Sequence, residues 1–314
     1  FVNKGDKKFR ATQIFEWVYR KRAKSFDEMS NIKKETIELL KQDFYFNNIK
    51  IVTKEEDELV KKYLFELSDG NKIEAVLMEH DYGKSICVSS QIGCNMGCAF
   101  CESGRLKKVR NLTSDEMLLL KVEEDIKSRI SHVVIMGIGE PFDNYDNVMD
   151  FINIINDAYA LAIGIRHITV STSGIVPKIK EFAKEGLGVN LAISLHAPNN
   201  EIRNKIMKIN KAYDINELIE SVKEYLKLTN RRVTFEYIML DGINDKLENA
   251  VELSNLLSGM NCYINLIPYN ETNNIGFKRS LSSKNRGLNV TIRKEFGSKI
   301  SAACGQLRSK KEDL

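Results

Sequence analysis

The sequence predicts an α/β fold, in which a partial (β/α)6 barrel follows a small N-terminal helical accessory domain and a β-hairpin extension. From about residue 87 onward, short apolar runs alternate with helical patterns, which is typical of a parallel sheet. Six such units are too few for a closed barrel of eight strands. The 314 residues suffice for one large domain and a small accessory one. The predicted divisions are residues 1–48, 49–86 and 87–314, the last including a C-terminal loop around Cys304.

The N-terminal domain is predicted to be helical and basic. Residues 9–24 carry apolar side chains near helical spacing, and a second helix is expected at about 32–43. Residues 1–50 contain twelve Lys or Arg and seven Asp or Glu. This excess of positive charge fits docking on a polyanion such as RNA, and it fits a solvated helical surface equally well.

The hairpin extension is predicted from residues 61–78, KKYLFELSDGNKIEAVLM. Two strand-like runs flank Ser68-Asp69-Gly70-Asn71, which is a turn signal.

The barrel elements follow in order along the chain. A first strand precedes Cys94, and later strands are predicted at 132–137, 167–172, 189–195, 233–240 and 262–267. Helices are predicted from the capping box at 113–116 to about 128, and then at 146–158, 177–185, 214–228 and 246–257. Asp214 and Glu217 supply the cap and the first-turn carboxylate of the longest helix, and Gly186 ends an earlier one.

Three cysteines, Cys94, Cys98 and Cys101, lie within eight residues of a loop directly after the first barrel strand. Thiolates this close together favour a soft metal. Three are one short of a closed structural site, whereas an iron–sulfur cluster held by only three thiolates keeps one iron open for a further ligand. The alternative is a zinc or redox loop with a distant fourth ligand.

Polar groups follow the predicted strands at their carboxyl ends, where parallel α/β proteins bind ligands. One by one they are weak signals, but together, beside a metal loop, they predict a binding site. The candidate residues are Gly139, Glu140, Ser171, Ser194, His196 and Asn270.

Composition excludes several classes of protein. No apolar run approaches the roughly 20 residues of a membrane helix, and no signal-peptide pattern opens the chain. The six cysteines suggest no disulfide framework, which suits a reducing compartment. We therefore expect a cytoplasmic protein that binds no membrane and is a monomer.

The motifs together resemble a known family. CxxxCxxC after one strand and GEP after the next resemble the radical S-adenosylmethionine (SAM) superfamily. Longer blocks resemble the RNA adenosine methyltransferases of the RlmN/Cfr family, and these blocks are CVSSQIGCNMGCAFC, MGIGEPFDNYDNV, STSGIVP, LAISLHAPN, FEYIMLDGIND, NLIPYN and SAACGQLR. The resemblance runs from about Phe9 to Arg308.

The resemblance implies roles for matching residues. Cys94, Cys98 and Cys101 would ligate a 4Fe-4S cluster whose fourth iron binds SAM. Gly139, Glu140, Ser171, Ser194, His196 and Asn270 would bind SAM, with the Glu140 carboxylate on its ammonium group. Cys304 resembles the cysteine that carries the methyl group, Cys87 the cysteine that resolves the intermediate, and Glu74 the proton acceptor. Without the resemblance, these three are an ordinary thiol, a small buried side chain and a solvent-facing strand carboxylate.

The resemblance implies methylation of carbon 2 of adenosine in 23S rRNA and in tRNA beside the anticodon, using two SAM molecules per turnover and an electron donor such as flavodoxin or ferredoxin. Pro141 and Pro268 favour carbon 2, the RlmN branch. The alternatives are carbon-8 methylation of 23S rRNA, and a non-enzymatic Fe–S or zinc module that binds RNA. Candidate phosphate contacts are Lys7, Lys8, Arg10, Arg20, Lys21, Arg22, Lys107, Lys108 and Arg110.

Overall fold

The computed structural model has the α/β fold that the sequence predicts. The residues that it describes are 7–46, 49–117, 119–271, 275–280, 290–292, 297, 300–303 and 305–307. Within these ranges, every helix is too short or too polar to cross a membrane.

The N-terminal helices form a small unit with a core of its own. Helix α1 (Phe9–Phe15) continues into a π-helical turn at Glu16–Arg20, and α2 spans Lys34–Asp43. A short 3-10 helix, Phe26–Glu28, lies between them. Four of the buried side chains in this core are Ile14, Met29, Ile37 and Leu40.

The strands of the described chain form one large sheet and one small ribbon. They are β1 (Lys50–Asp57), β2 (Val60–Glu66), β3 (Lys72–His80), β4 (Gly83–Val88), β5 (Gln91–Ile92), β6 (Arg110–Asn111), β7 (His132–Ile135), β8 (Ile168–Thr172), β9 (Asn190–Ser194), β10 (Val233–Met239), β11 (Cys262–Pro268) and β12 (Val290–Ile292). The ten-stranded sheet has the order β1-β2-β3-β4-β7-β8-β9-β10-β11-β12, and β5 pairs with β6. Strands β1 to β4 pair antiparallel, and each pair from β4–β7 to β11–β12 is parallel. The predicted hairpin and the six predicted parallel strands are thus confirmed as parts of one sheet, and among the described residues β12 adds a seventh parallel strand that was not predicted.

Helices connect the parallel strands. They are α3 (Leu119–Ile126), α4 (Tyr145–Asn156), α5 (Val176–Lys184), α6 (Asn200–Ile206), α7 (Ile215–Thr229) and α8 (Leu247–Leu256). The predicted cap of α7 is present, because Asp214 Oδ1 accepts hydrogen bonds from the backbone N–H groups of Asn216 and Glu217. Helix α6 was not predicted. It begins at Asn199, whose side chain accepts a hydrogen bond from the N–H of Ile202.

Side chains alternate between the two faces of the sheet. On one face, residues such as Phe65, Ile135 and Phe235 are fully buried in a large core that they share with the helices. The intervening residues point to the opposite side, which we call the inner face. The inner face carries the polar and reactive side chains Lys62, Glu74, Cys87, Ser171, Ser194 and Glu236.

Candidate active site

The cysteine loop, Cys94–Cys101, lies just beyond the carboxyl end of β4, between β5 and β6. The N–H of Ala99 donates a 2.9 Å hydrogen bond to the Ile206 carbonyl at the end of α6. Gly93, just before the loop, has a φ of +73°, and a Cβ there would lie 2.3 Å from the carbonyl oxygen of Lys107. Glycine is therefore required at Gly93, where the backbone passes close to Lys107, and the Ala99 hydrogen bond holds the loop against the end of α6.

The three thiols of the loop lie in a desolvated environment. Cys94 is buried, and Cys98 and Cys101 are half-buried. Burial raises the pKa of Cys94 to about 12 and also raises the pKa values of Cys98 and Cys101. For Cys101, hydrogen bonds from the backbone of Gly104 and Ser103 act in the opposite direction. Burial therefore disfavours the thiolate forms, and a bound metal would favour them and offset this cost.

The donor set of the loop fits an iron–sulfur cluster. In such a cluster each cysteine binds a different iron, so the sulfurs need not converge on one point. Among the described residues, no group of three His, Cys, Asp or Glu side chains has the geometry to hold a single metal ion. Thiolates that also accept backbone hydrogen bonds, as Cys101 does, are usual at such clusters.

Glu140 follows β7 in a buried turn, after Gly139 with a φ of +109°. Its Oε1 accepts a 3.0 Å hydrogen bond from the N–H of Phe142, and its Oε2 accepts a 2.7 Å bond from the N–H of Ser173. Burial raises the pKa of this carboxyl, and the backbone donors oppose that shift. Two oxygens offer about four acceptor sites, so room is left for an ammonium group of a ligand.

Gln91 holds the Glu140 turn in place, a role that no sequence pattern predicted. The side chain is fully buried. Its Oε1 accepts a 2.9 Å hydrogen bond from the N–H of Glu140, and its Nε2 donates to Asn111 Oδ1 and Asp143 Oδ2, each at 2.9 Å. A Cβ at Gly139 would lie 2.6 Å from Gln91 Cβ, so glycine permits this close contact.

His196 lies two residues beyond β9, in the left-handed region with a φ of +57°. Its Nδ1 accepts a 3.1 Å hydrogen bond from the N–H of Ile238, which fixes the ring proton on Nε2. Burial, and then the charge of Arg203, lower the pKa of His196 to about 3. The ring of Phe100, from the cysteine loop, meets it edge-on at 4.8 Å. His196 is therefore a neutral hydrogen-bond donor beside the loop.

Arg203 on α6 braces the ends of β8 and β9, a role that sequence reasoning missed. Its side chain is fully buried. It donates hydrogen bonds to the carbonyls of Ser173 (2.7 Å), Ser194 (3.3 Å) and Leu195 (3.2 Å). Burial lowers the pKa of Arg203 to about 10, so it remains charged at neutral pH. Its positive charge favours the thiolate form of Cys98.

The remaining predicted cofactor residues lie at the same end of the sheet. Ser171 and Ser194 are half-buried on the inner face, and Asn270 is buried two residues after β11. Ser194 pairs in register with Glu236, which accepts a 3.1 Å hydrogen bond from Asn265 Nδ2. The sequence indicated Glu236 only through its position in a strand, where alternation places its side chain on the inner face. These side chains, the Glu140 turn and His196 form one polar rim next to the cysteine loop.

Cys87 and Glu74 share the inner face at the antiparallel end of the sheet. Cys87 pairs with Val76 on β3 and with Val134 on β7. Glu74, two residues before Val76, is buried, which differs from the default expectation of a solvent-facing strand carboxylate. The Ser89 hydroxyl donates a 2.7 Å hydrogen bond to the Glu74 carbonyl. The two candidate catalytic side chains are therefore diagonal neighbours on adjacent strands.

Cys304 lies outside the described residues, but its flanks are described. The Gly305 carbonyl accepts a 2.9 Å hydrogen bond from the N–H of Glu102, directly after Cys101, and Ser103 Oγ donates a 2.7 Å bond to the Leu307 carbonyl. Ala302 and Leu307 belong to the apolar cluster that Cys87 contacts. The described residues on either side of position 304 thus contact the cysteine loop and the apolar cluster beside Cys87.

Several candidate phosphate contacts have partners within the protein. Lys108 Nζ lies 2.7 Å from Asp143, and Arg110 forms a two-pronged ion pair with Glu116 at 2.7 and 2.8 Å. Arg22 pairs with Glu123 on α3, which ties the N-terminal helices to the barrel. These three cations therefore contribute to the fold, whereas Lys107 is exposed and the exposed Arg20 pairs with Glu16 at 3.5 Å.

The profile of the radical SAM superfamily matches residues 88–254, which include the cysteine loop, the Glu140 turn and the strands that carry Ser171, Ser194 and Glu236. The fold and the site are therefore those of a radical SAM enzyme, a class that implies a 4Fe-4S cluster and SAM. The profile described as "Ribosomal RNA large subunit methyltransferase N-terminal domain" matches residues 1–45.

Relatives identify the family within this class. The chain is 54% identical over 326 residues to a Listeria monocytogenes protein named "Probable dual-specificity RNA methyltransferase RlmN", with 98% of this chain and 89% of the relative covered. A protein of the same name from Enterococcus faecalis is 53% identical, with 99% and 92% covered. The crystal structure of a radical SAM methyltransferase from Sphaerobacter thermophilus matches with a TM-score of 0.89 at 38% identity, covering 98% of this chain and 95% of that one. The chain belongs to the RlmN family of radical SAM RNA methyltransferases.

Proposed function

We propose that the protein methylates carbon 2 of adenosine in 23S rRNA and in tRNA beside the anticodon. The observation that carries the proposal is that the described residues on either side of position 304 contact the cysteine loop and the apolar cluster beside Cys87. The relatives named as dual-specificity RNA methyltransferases support the substrate class. Membership of a methyltransferase family also disfavours the alternative of a non-enzymatic RNA-binding module.

Cys94, Cys98 and Cys101 would hold three irons of a 4Fe-4S cluster. Glu140, through its remaining acceptor sites, would bind the ammonium group of SAM on the fourth iron, beside Gly139. His196 would donate from Nε2, and Ser171, Ser194 and Asn270 would contact the rest of SAM. When bound, these groups supply the methyl group and a 5′-deoxyadenosyl radical, with two SAM molecules per turnover and a reductant such as flavodoxin or ferredoxin.

Carbon 2 of adenine lies between two ring nitrogens and is electron-poor, so it does not attack a methyl sulfonium as a nucleophile. A protein thiol does so readily, and Cys304 would take the methyl group first. After loss of one hydrogen atom to the 5′-deoxyadenosyl radical, the carbon radical on Cys304 would add to carbon 2 of adenine and link enzyme to RNA. Glu74 would then remove the ring proton, and the adduct would give up one electron, equal to the one that the reductant supplied. The Cys87 thiolate would attack the Cys304 sulfur, which forms a disulfide and breaks the bond from that sulfur to the methylene carbon. The electron pair of that bond stays on the carbon, which takes up a proton to become the methyl group of the released base.

The surroundings of Glu74, Cys87 and the residues that flank Cys304 support these three proposed roles. Glu74 and Cys87 lie on adjacent strands with side chains on one face, and the apolar cluster of Val76, Ile138 and Ala302 lies beside Cys87. A water-poor pocket protects a radical from side reactions. The target base must leave its stack to enter it, which favours loop or single-stranded RNA.

Anaerobic reconstitution with iron, sulfide, SAM and a reductant tests the proposal. We expect 5′-deoxyadenosine and, in RNA digests analysed by mass spectrometry, 2-methyladenosine. 8-Methyladenosine would shift the assignment to the carbon-8 branch. Absence of 5′-deoxyadenosine from cluster-loaded protein would contradict the proposed chemistry.

A further inference from the structure

A buried lysine faces the residue that the proposed function uses as its base. Lys62 on β2 has a side chain that is 8% exposed, and its Nζ lies 3.8 Å from Glu74 Oε1, on a side chain that is 6% exposed. On its other side, Lys62 Nζ lies 2.9 Å from Oε1 of Glu55, whose side chain is 50% exposed. Three charged groups therefore run from the interior to the solvent-exposed edge strand.

Strand register makes this arrangement a property of the fold. Glu55 pairs with Lys62, Lys62 with Val76, and Val76 with Cys87. All four therefore lie on one row of the inner face, and Glu74 is one step along the same face of β3. Lys62 is thus fixed between the edge of the sheet and the base.

Among the charged neighbours of Glu74, the most buried one has the strongest electrostatic effect on it. By strand alternation, the other charged or titratable side chains on the inner face of β2, β3 and β4 around Glu74 are Glu66, Lys72 and Cys87, and all three are half-buried. Lys62 and Glu74 are both buried, so their interaction is screened least by water. A buried lysine is rare unless it is paired, and a buried carboxylate stays ionised only beside a compensating charge.

We propose that Lys62 is a positioning residue for the methyl-transfer reaction: its ammonium group holds the buried Glu74 side chain ionised and oriented so that it can accept the adenine proton. This inference rests on the proposed role of Glu74. Without that positive charge, the buried carboxyl would bind a proton more readily and would be less able to accept the one from adenine. Lys62 also needs an anchor, and the tight contact with Glu55 supplies one from the sheet edge.

The test uses the full-length, cluster-loaded enzyme with SAM, reductant and an RNA substrate under single-turnover conditions. Lys62→Met removes the positive charge and keeps most of the side-chain length. Lys62→Gln also removes the charge but leaves a polar group at the end of the side chain, and Lys62→Arg keeps the charge. Lys61→Met is the matched control, because Lys61 is the adjacent residue on the opposite face and pairs with Glu56 at 3.5 Å. Glu74→Gln is the reference for loss of the base. Denaturing gels measure RNA-linked enzyme, and mass spectrometry measures product, between about pH 6.5 and 9.

We expect Lys62→Met and Lys62→Gln to accumulate RNA-linked enzyme at neutral pH and to release product as the pH rises. Loss of an opposite charge at this distance moves the pH profile of product release upward by about one to three units. Because the wild-type carboxylate is already ionised at pH 7, release at that pH slows by at most about a hundredfold and recovers as the pH rises. Lys62→Arg and Lys61→Met should keep the wild-type profile. Glu74→Gln should stall at every pH.

Two results separate the inference from the function on which it rests. If Glu74→Gln releases product normally, the assignment of the base is wrong. If Glu74→Gln stalls while both charge-removing Lys62 variants keep the wild-type pH profile, the role of Lys62 alone is overturned. A profile shift in Lys61→Met equal to that in Lys62→Met also overturns it, because the effect would then be one of general charge.

Discussion

The Gln91 network makes a quantitative prediction. Gln91→Met keeps most of the side-chain volume and removes the amide, so the N–H of Glu140 loses its acceptor in a fully buried place. One such orphaned donor costs about 1–3 kcal/mol. Asn111 and Asp143 also lose a donor, but both are half-buried and Asp143 keeps Lys108, so together they add about 1 kcal/mol. We expect the free energy of unfolding to fall by about 2–4 kcal/mol.

Urea unfolding of the cluster-loaded protein under anaerobic conditions measures this loss, and equilibrium dialysis measures SAM affinity. The network orders the Glu140 turn, so SAM binding should weaken about tenfold for every 1.4 kcal/mol of ordering that the turn loses. Gln42→Met, at an exposed position of α2, is the control and should change stability by no more than about 0.5 kcal/mol. A Gln91→Met protein as stable as this control, with wild-type SAM affinity, would refute the bracing role.

Three further predictions concern the thiols and a histidine. Cys87→Ala should trap enzyme covalently linked to RNA on a denaturing gel, because addition proceeds without resolution; clean turnover would argue against its role. Cys304→Ala should abolish methylation and leave the visible absorbance of the cluster intact, and loss of that absorbance would instead make Cys304 a cluster ligand. His132 stacks on His167 at 4.3 Å, and burial followed by the neighbouring histidines lowers its pKa. The neutral form is therefore favoured in the fold, so the free energy of unfolding should be retained above the ordinary pKa of 6.5 and should fall as the pH drops below it. His132→Gln should flatten this dependence in urea titrations at pH values on both sides of 6.5, and an unchanged slope would contradict it.

Local patterns predicted most of the fold. The alternation of strands and helices, the turn at Ser68–Asn71 and the Asp214 cap are all written in neighbouring residues, and the structure has each of them. Helix α6 was missed because its seven residues show too short a pattern, although Asn199 does cap it. The predicted helix at 9–24 is α-helical only at its start and continues as a π-helical turn. A π-helical turn differs from an α-helical one only in that each hydrogen bond spans one more residue, and this difference leaves little trace in a sequence.

The residues that hold the site in place could not be predicted from local patterns. Gln91, Arg203 and Lys62 each look like ordinary polar residues in the sequence, and their roles depend on partners between seven and fifty-two positions away. Arg110 shows the same limit for a charged residue. Its charge suggested a phosphate contact, whereas the fold brings Glu116 and Asp69 to its guanidinium group. The sequence shows which residues are charged, but the partner of each charge depends on the tertiary structure.

We propose that Cys94, Cys98 and Cys101 hold a cluster with one iron left open for SAM. The most informative measurement is Mössbauer spectroscopy of the protein, reconstituted anaerobically with a Mössbauer-active iron isotope. We expect a 4Fe-4S cluster in which one iron of four changes its signal when SAM is added. Four equivalent thiolate-ligated irons whose signals do not change when SAM is added would contradict this proposal. Protein that binds zinc and no cluster would contradict it as well.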